Sequence, residues 1–139
     1  MIIKPVCILK RIKYFLGWHP NPPDPPFWKY VTLDGIMVSL SNFKKRDLDR
    51  VLRIGIHKFT GFNGTIIIDS GAYQSIRNPR QYLWSNPEHI LTLQSLMGAE
   101  YAIHKDFPYN NDSSSSFGIS PSVLLQFTII NAQKTISWF

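Results

Sequence analysis

The chain has 139 residues, of which 44% are hydrophobic and 17% charged, and its formal net charge is +6 at pH 7. This length and composition fit one globular domain with a hydrophobic core and argue against a disordered chain or two full-sized domains. The basic charge is compatible with an anionic partner such as nucleic acid, and equally with a surface charge that only maintains solubility.

Cysteine usage and hydropathy further limit the class of protein to which the chain can belong. Cys7 is the only cysteine, which excludes an internal disulfide and a cysteine-rich zinc site. This usage favours a reducing compartment, and we expect a cytoplasmic protein. No apolar run approaches the roughly 20 residues that a membrane-spanning helix needs, and no secretory cleavage pattern is present. We therefore expect no membrane partner.

Residues 1–28 are predicted as a short N-terminal segment that ends in a proline-rich connector. Residues 1–18 alternate apolar and basic positions, which favours a strand or helix packed on the domain over a basic amphipathic surface helix. Residues 19–27 contain five prolines, and proline lacks the backbone donor that helices and sheets require. We expect a stiff, extended connector there rather than a ligand for a proline-binding module, with residues 29–139 as the main domain.

Residues 30–54 are predicted as a β-hairpin followed by a helix. The apolar stretches 30–33 and 36–40 flank Asp34-Gly35, a dipeptide typical of two-residue hairpin turns. Residues 42–54 then place their leucines and valine on one face at helical spacing. The opposite face is rich in lysine and arginine and could contact phosphates, but such a face is more often only solvated.

The most informative stretch is residues 65–74, where three consecutive isoleucines at 66–68 run directly into Asp69. A continuous β-branched run is typical of a parallel strand that is covered on both faces. In α/β folds, functional side chains lie at the carboxyl ends of such strands. We therefore expect a buried strand that holds Asp69 at its functional end.

The rest of the chain alternates helix and strand. Asn86-Pro87 is a capped helix start, and Gly98 is a suitable stop. Alternation of this kind predicts an α/β fold with parallel strands joined by right-handed crossover helices. The predicted elements are a loop at 77–84, a helix at 86–98, a short strand at 100–104, a mobile polar loop at 110–116 and a last helix at 120–137.

Asp69 and Asp106 are the leading candidates for chemistry. Each follows a short apolar strand, and adjacent parallel strands deliver such positions to the same edge of a sheet. Paired carboxylates suit reactions at glycosidic bonds, in which one acid transfers protons and another attacks the sugar. The alternative is structural, with Asp69 capping a helix and Asp106 stabilising a turn.

Four neighbours of Asp69 could contact a ligand. Ser70 and Gly71 could bring backbone N–H groups close to it, since glycine permits close approach. Gln74 could hydrogen-bond the edge of a base, whereas Tyr73 could stack on a base or simply pack. The four histidines lack metal-ligand spacing, and we expect no metal site; neither a phosphate-binding glycine loop nor a dinucleotide fingerprint is present.

Residues 69–74, Asp-Ser-Gly-Ala-Tyr-Gln, resemble the Asp-Ser-Gly-Gly-Phe-Gln motif of the tRNA-guanine transglycosylases. Residues 57–62 are similar to the His-x-Phe-Met-Gly-Trp sequence that precedes this motif in the family. Residues 87–106 follow its Pro-Glu…Gln…Gly-Ala-Asp…Phe-Asp pattern in order and spacing. The resemblance covers residues 55–139, and the order of the motifs is more specific than any one of them.

The resemblance implies a fold, a reaction and roles for single residues. The fold would be a (β/α)8 TIM-type barrel, and the reaction would exchange guanine for a 7-deazaguanine-type base in tRNA or DNA. Asp69 would act as the general base and Asp106 would read the guanine-like edge. Ser70, Gly71, Tyr73 and Gln74 would line the base pocket.

Several departures from the family pattern modify this expectation. Ala72 replaces a glycine, Tyr73 a phenylalanine and Lys105 an aromatic residue. The segments that carry the family's nucleophilic aspartate, glycine-rich loop and zinc-binding cysteines have no counterpart, so we expect no cofactor in this chain. We expect the N-terminal half of a barrel, which needs a complementary C-terminal subunit or self-association. The alternatives are a non-catalytic nucleobase- or nucleic-acid-binding protein and an inactive remnant of the family.

Overall fold

The computed structural model describes residues 13–137 and has an α/β fold built on one parallel sheet. The sheet has four strands in chain order, and every neighbouring pair is parallel. The prediction of parallel strands separated by helices is therefore confirmed. The strands are β1 (Phe15–Gly17), β2 (Gly35–Ser39), β3 (Thr65–Asp69) and β4 (Tyr101–Ala102).

In the described part of the chain, six helices and three short 3-10 turns connect and flank the strands. None of the helices within residues 13–137 is long and apolar enough to cross a membrane. The 3-10 turns are Phe27–Lys29, Leu40–Asn42 and Gln74–Arg77. The helices are α1 (Lys45–Ile54), α2 (Ile56–Thr60), α3 (Pro79–Trp84), α4 (Pro87–Leu96), α5 (Asn111–Phe117) and α6 (Pro121–Ser137).

The two faces of the sheet differ in burial. Ile36 pairs with Ile66 and Val38 with Ile68, and all four side chains are fully buried against the helices. The other face carries Met37, Ile67 and Tyr101 in one row, with Met37 exposed by 40% and Tyr101 by 60%. The isoleucine run was predicted to be covered on both faces; among the described residues, only one face is.

The predicted hairpin at Asp34-Gly35 is wrong. Residues 30–33 form no strand, and β2 pairs in parallel with β1 and β3. The Asp34 carboxylate accepts the N–H of Tyr14 at 2.9 Å instead of closing a turn. Gly35 is required by close packing, because a Cβ there would collide with the Phe15 ring.

Two predicted loops are helical. Residues 77–84 lie in the 3-10 turn and α3, and the serine-rich stretch forms α5. Asn110 caps α5, since its side chain accepts the N–H of Ser113 at 2.8 Å, and Gly118 ends the helix with φ = 66°. These are an N-cap and a left-handed stop, which outweigh the low intrinsic helix preference of serine.

The remaining helix predictions agree with the structure. The cap predicted at Asn86 is present, with its side chain accepting the N–H of Glu88 at 2.9 Å. α6 occupies the predicted last helix. The helix predicted at 42–54 begins at Lys45 instead, after a 3-10 turn.

The proline-rich stretch folds back on itself rather than extending. Pro20 and Pro23 form an antiparallel bridge, and the His19 N–H donates to the Asp24 carboxylate at 2.8 Å. The Trp18 indole N–H donates to the Asp24 carbonyl at 3.1 Å, and its ring lies in the hydrophobic core. Residues 13–18 thus pack with the rest of the domain, whereas the predictions for residues 1–12 lie outside the described part.

Candidate functional site

Asp69 and Asp106 come together at the carboxyl end of the sheet. Asp69 is the last residue of β3, and Asp106 follows β4 by four residues. Ser70 connects them, because it directly follows Asp69 and its hydroxyl donates to Oδ1 of Asp106 at 2.8 Å. The sequence therefore predicted the right edge of the sheet for both acids.

Tyr82 extends this connection and was missed as a site residue. Its hydroxyl lies 2.9 Å from Oγ of Ser70 and donates to the Asp106 carbonyl at 3.0 Å. Both Ser70 and Tyr82 are buried. Because two hydroxyl hydrogens serve three close oxygen contacts, the group can rearrange its hydrogen bonds without moving its heavy atoms.

A sequence signal for this helix was present. Asn78-Pro79 has the same residues as the helix start at Asn86-Pro87, and Pro79 is indeed the first residue of α3. Had the first pair been interpreted in the same way, Tyr82 would have been placed on a helix rather than in a loop. Its contact with Ser70 depends on tertiary packing and carries no local signal.

Asp69 lies in surroundings that make it a stronger base than an exposed aspartate. Burial raises its pKa, the N–H of Gly71 opposes this by donating to Oδ2 at 3.0 Å, and repulsion from Asp106 raises it further. Gly71 has φ = 89°, and a Cβ there would lie 2.6 Å from Cβ of Ser41. Glycine is thus needed both for its conformation and for space, and its N–H serves Asp69.

Gln74 and Tyr73 lie at the exposed side of the acids. Oε1 of Gln74 accepts the hydroxyl of Ser39 at 3.3 Å, and Ser39 pairs with Asp69 in the sheet register. The Gln74 amide therefore lies beside the strand end that carries Asp69. Tyr73 is 68% exposed and stacks on no other ring within the described residues, so its face is free for a planar ligand.

A cleft of about 400 Å³ lies beside the acids, within the range typical of small-molecule sites. Ser70, Gln74 and Tyr82 line it with apolar side chains such as Phe43. Asp69 and Asp106 are not among its lining residues, but Ser70, which bonds to Asp106, is. A second hollow of about 670 Å³ shares Gln74 and adds Tyr73 and Arg77. We call the first space the Ser70 cleft.

His57, in the segment that precedes the family-like motif, lies away from the acids. Its Nε2 is 2.8 Å from Oε1 of Glu100, and Nδ1 is 2.8 Å from the Phe62 carbonyl. Oε2 of Glu100 accepts the N–H of Ile66 at 2.8 Å, near the amino end of β3. His57 therefore joins α2 to the sheet at the end opposite Asp69, which is a structural role.

Within residues 13–137, no three His, Cys, Asp or Glu side chains lie close enough together to hold a metal ion. No family model, curated protein or solved structure matches the chain.

Proposed function

We propose that this chain binds a guanine-type base at Asp69 and Asp106 and takes part in base exchange on tRNA or DNA, as the tRNA-guanine transglycosylases do. The single observation that carries the proposal is the hydrogen-bonded link from Ser70 to Asp106, which holds two acids at adjacent strand ends beside a cleft. The motif order of residues 55–139 supports the same family.

Asp106 is suited to recognising the base. Its Oδ1 accepts the Ser70 hydroxyl at 2.8 Å, and Oδ2 has no hydrogen-bond partner among residues 13–137. A carboxylate only accepts hydrogen bonds, so the free oxygen selects a base edge that presents N–H donors, as guanine does. The NH₂ group of Gln74 would donate to an acceptor on the same base, and Tyr73 would stack on its face.

Asp69 is suited to proton transfer. Burial raises the pKa of Asp69, which brings its proton affinity closer to that needed at neutral pH. It would give a proton to the departing base and take one from the incoming base. The group that attacks the sugar is not assigned among the described residues, so binding of the base without exchange is the alternative function.

The open face of the sheet supports a barrel as the complete fold. In (β/α)8 barrels, side chains on the inner face of the strands form packed layers, and parallel sheets are normally covered on both faces. Met37, Ile67 and Tyr101 would lie on this inner face. A complementary C-terminal subunit, or a second copy of this chain, would supply the covering strands.

Exposed cations lie next to residues of the Ser70 cleft and in the neighbouring hollow. Lys44 directly follows Phe43, which lines the cleft, Lys45 is the first residue of α1, and Arg77 lines the hollow that also contains Gln74. Contacts of lysine and arginine with phosphates position nucleic acid without reading its sequence. These residues would hold the tRNA or DNA strand while the acids contact the base.

Calorimetric titration of the purified chain with a 7-deazaguanine base tests the recognition step. We expect saturable binding that Asp106→Asn weakens by about 10- to 100-fold, since the asparagine can still accept from Ser70 but presents an NH₂ group to the base. Asp49→Asn, an exposed acid on α1, is the matched control and should bind like the wild type. Absence of binding at millimolar base, or equal binding by Asp106→Asn, would contradict the proposal.

Incorporation of labelled guanine into tRNA or DNA distinguishes exchange from binding alone. Incorporation that Asp69→Asn abolishes supports exchange. Base binding without incorporation, in the chain alone and with an added C-terminal partner, favours the alternative.

A further inference from the structure

Lys105 is a buried lysine that the base site does not use. The residue is only 3% exposed, and its Nζ donates to the carbonyls of Ser85 at 2.8 Å and Leu83 at 3.2 Å. The rings of Tyr82 and Phe107 have their centres 5.0 and 4.9 Å from Nζ. Lysine is almost never fully buried without a carboxylate partner, so this position requires an explanation.

Another cleft, also of about 400 Å³ but lined by other residues, opens next to the Lys105 amine. Its walls are mainly apolar and include Phe107, Ile119 and Phe127. Among the described residues that line it, Lys134 is the other charged residue, and none is an acid. Asp106 is the next residue in the chain, but it bonds to Ser70, which lines the first cleft. The two neighbouring side chains are therefore associated with different clefts. We call this space the lysine cleft.

The surroundings of Lys105 favour an amine that can react. Burial lowers the pKa of Lys105 to about 8, so about a tenth of the side chains carry no charge at pH 7. The neutral amine has two hydrogens, which can both stay bonded to the carbonyls of Leu83 and Ser85. Its lone pair then remains free, and a desolvated neutral lysine is the form that attacks carbonyl groups.

We propose that Lys105 forms a Schiff base with an aldehyde that enters the lysine cleft. The lone pair of Nζ attacks the carbonyl carbon and a C–N bond forms. The carbonyl oxygen then leaves as water with the two hydrogens of the amine, giving the imine without any oxidant or reductant. The apolar walls select an aromatic or aliphatic body, and Lys134 selects an anionic group on it.

Reductive trapping identifies the reacting lysine. The full chain is incubated at about pH 7.5 with limiting 4-carboxybenzaldehyde and sodium cyanoborohydride, and the modified peptides are mapped by mass spectrometry. Compared with a lysine at the ordinary pKa of 10.5, Lys105 has about 240-fold more neutral amine at the pH of this assay. We therefore expect its adduct to exceed that on exposed Lys58 by more than about tenfold, even though burial slows access.

Two variants and a neutral aldehyde complete the test. Lys105→Arg should abolish the selective adduct, because the guanidinium stays protonated. Lys134→Gln should slow labelling by 4-carboxybenzaldehyde several-fold but leave labelling by benzaldehyde unchanged. If the adducts are spread over exposed lysines and Lys105 is unmodified, the proposal is overturned. The role of Lys105 would then be structural, through its hydrogen bonds to the carbonyls at the end of α3. Equal effects of Lys134→Gln on both aldehydes would overturn the selection of an anionic ligand.

Discussion

Replacing Lys105 by methionine is expected to remove a pH dependence of folding stability that the wild-type chain shows above neutral pH. The folded state lowers the pKa of Lys105 from 10.5 to about 8 because burial disfavours the ammonium. In the unfolded chain the amine keeps its proton to higher pH. Between the two pKa values the native state therefore binds fewer protons than the unfolded state, and the free energy of unfolding of the wild type rises with pH.

The size of this effect follows from the two pKa values. The free energy of unfolding should rise most steeply midway between pH 8 and 10.5, by about 1.2 kcal/mol per pH unit. Between about pH 7 and 9.5 the total gain is about 2 kcal/mol, because the lower end of the range lies below the folded pKa. Methionine has a similar length and no proton to release, so the variant lacks this gain.

Urea unfolding of both proteins at several pH values measures the difference directly. The contributions of the other titrating groups cancel when Lys105→Met is subtracted from the wild type, and Lys58→Met, at an exposed position, should show no such change. If methionine prevents folding by leaving the carbonyls of Leu83 and Ser85 unpaired, Lys105→Arg provides a permanently charged reference. A difference that stays constant from about pH 7 to 9.5 would show that the ammonium is not desolvated as the structure requires.

Two further predictions concern carboxylates. Asp69→Asn should be more stable than the wild type at pH 7, because burial and the nearby Asp106 disfavour the charged form of Asp69. This gain in stability should shrink as the pH falls through the folded pKa, because Asp69 is then protonated in the wild type. Thermal melts at about pH 7 and 3.5, with Asp49→Asn as control, check this; a less stable variant at pH 7 would refute it. Glu100→Gln should lose up to about 1 kcal/mol at pH 7 through its partner His57. Burial raises the pKa of Glu100, but the Ile66 N–H and His57 together hold it below 4.5, so the loss of stability should vanish as the pH falls through the folded pKa. The control variant Glu88→Gln should change stability little. A loss in Glu100→Gln that is independent of pH would contradict this prediction.

The sheet and its functional edge could be predicted because their signals are local and mutually consistent. Residues 66–68 have strand character, Asp69 follows directly, and a capped helix separates this strand from the next. Parallel pairing then places Asp69 and Asp106 at one edge without further information. Helix caps at Asn86 and Asn110 show that short polar signals define boundaries, and the second was overlooked because serine-rich stretches are commonly loops.

The failed hairpin shows where local signals mislead. Asp34-Gly35 has the composition of a tight turn, but the glycine is used to let β2 pass beneath the Phe15 ring. Phe15 lies 20 residues earlier, and its pairing with Gly35 in the sheet cannot be inferred from the residues around the turn. The contact of Tyr82 with Ser70 is of the same kind, since it depends on how α3 packs against the end of β3.

The two acids have different surroundings, and in the proposed base exchange they would act at different steps. Asp69 is held by the Gly71 N–H, and its pKa is raised chiefly by burial, which favours proton transfer over permanent charge. Asp106 is fixed through Ser70 at one oxygen and has no hydrogen-bond partner at the other within residues 13–137, which favours hydrogen bonding to a ligand. If base exchange occurs here, Asp106→Asn should act mainly on binding of the base, and Asp69→Asn mainly on the rate of exchange at saturating base. Equal losses of binding in both variants would mean that the carboxylates act as one recognition unit, as expected for a protein that only binds the base.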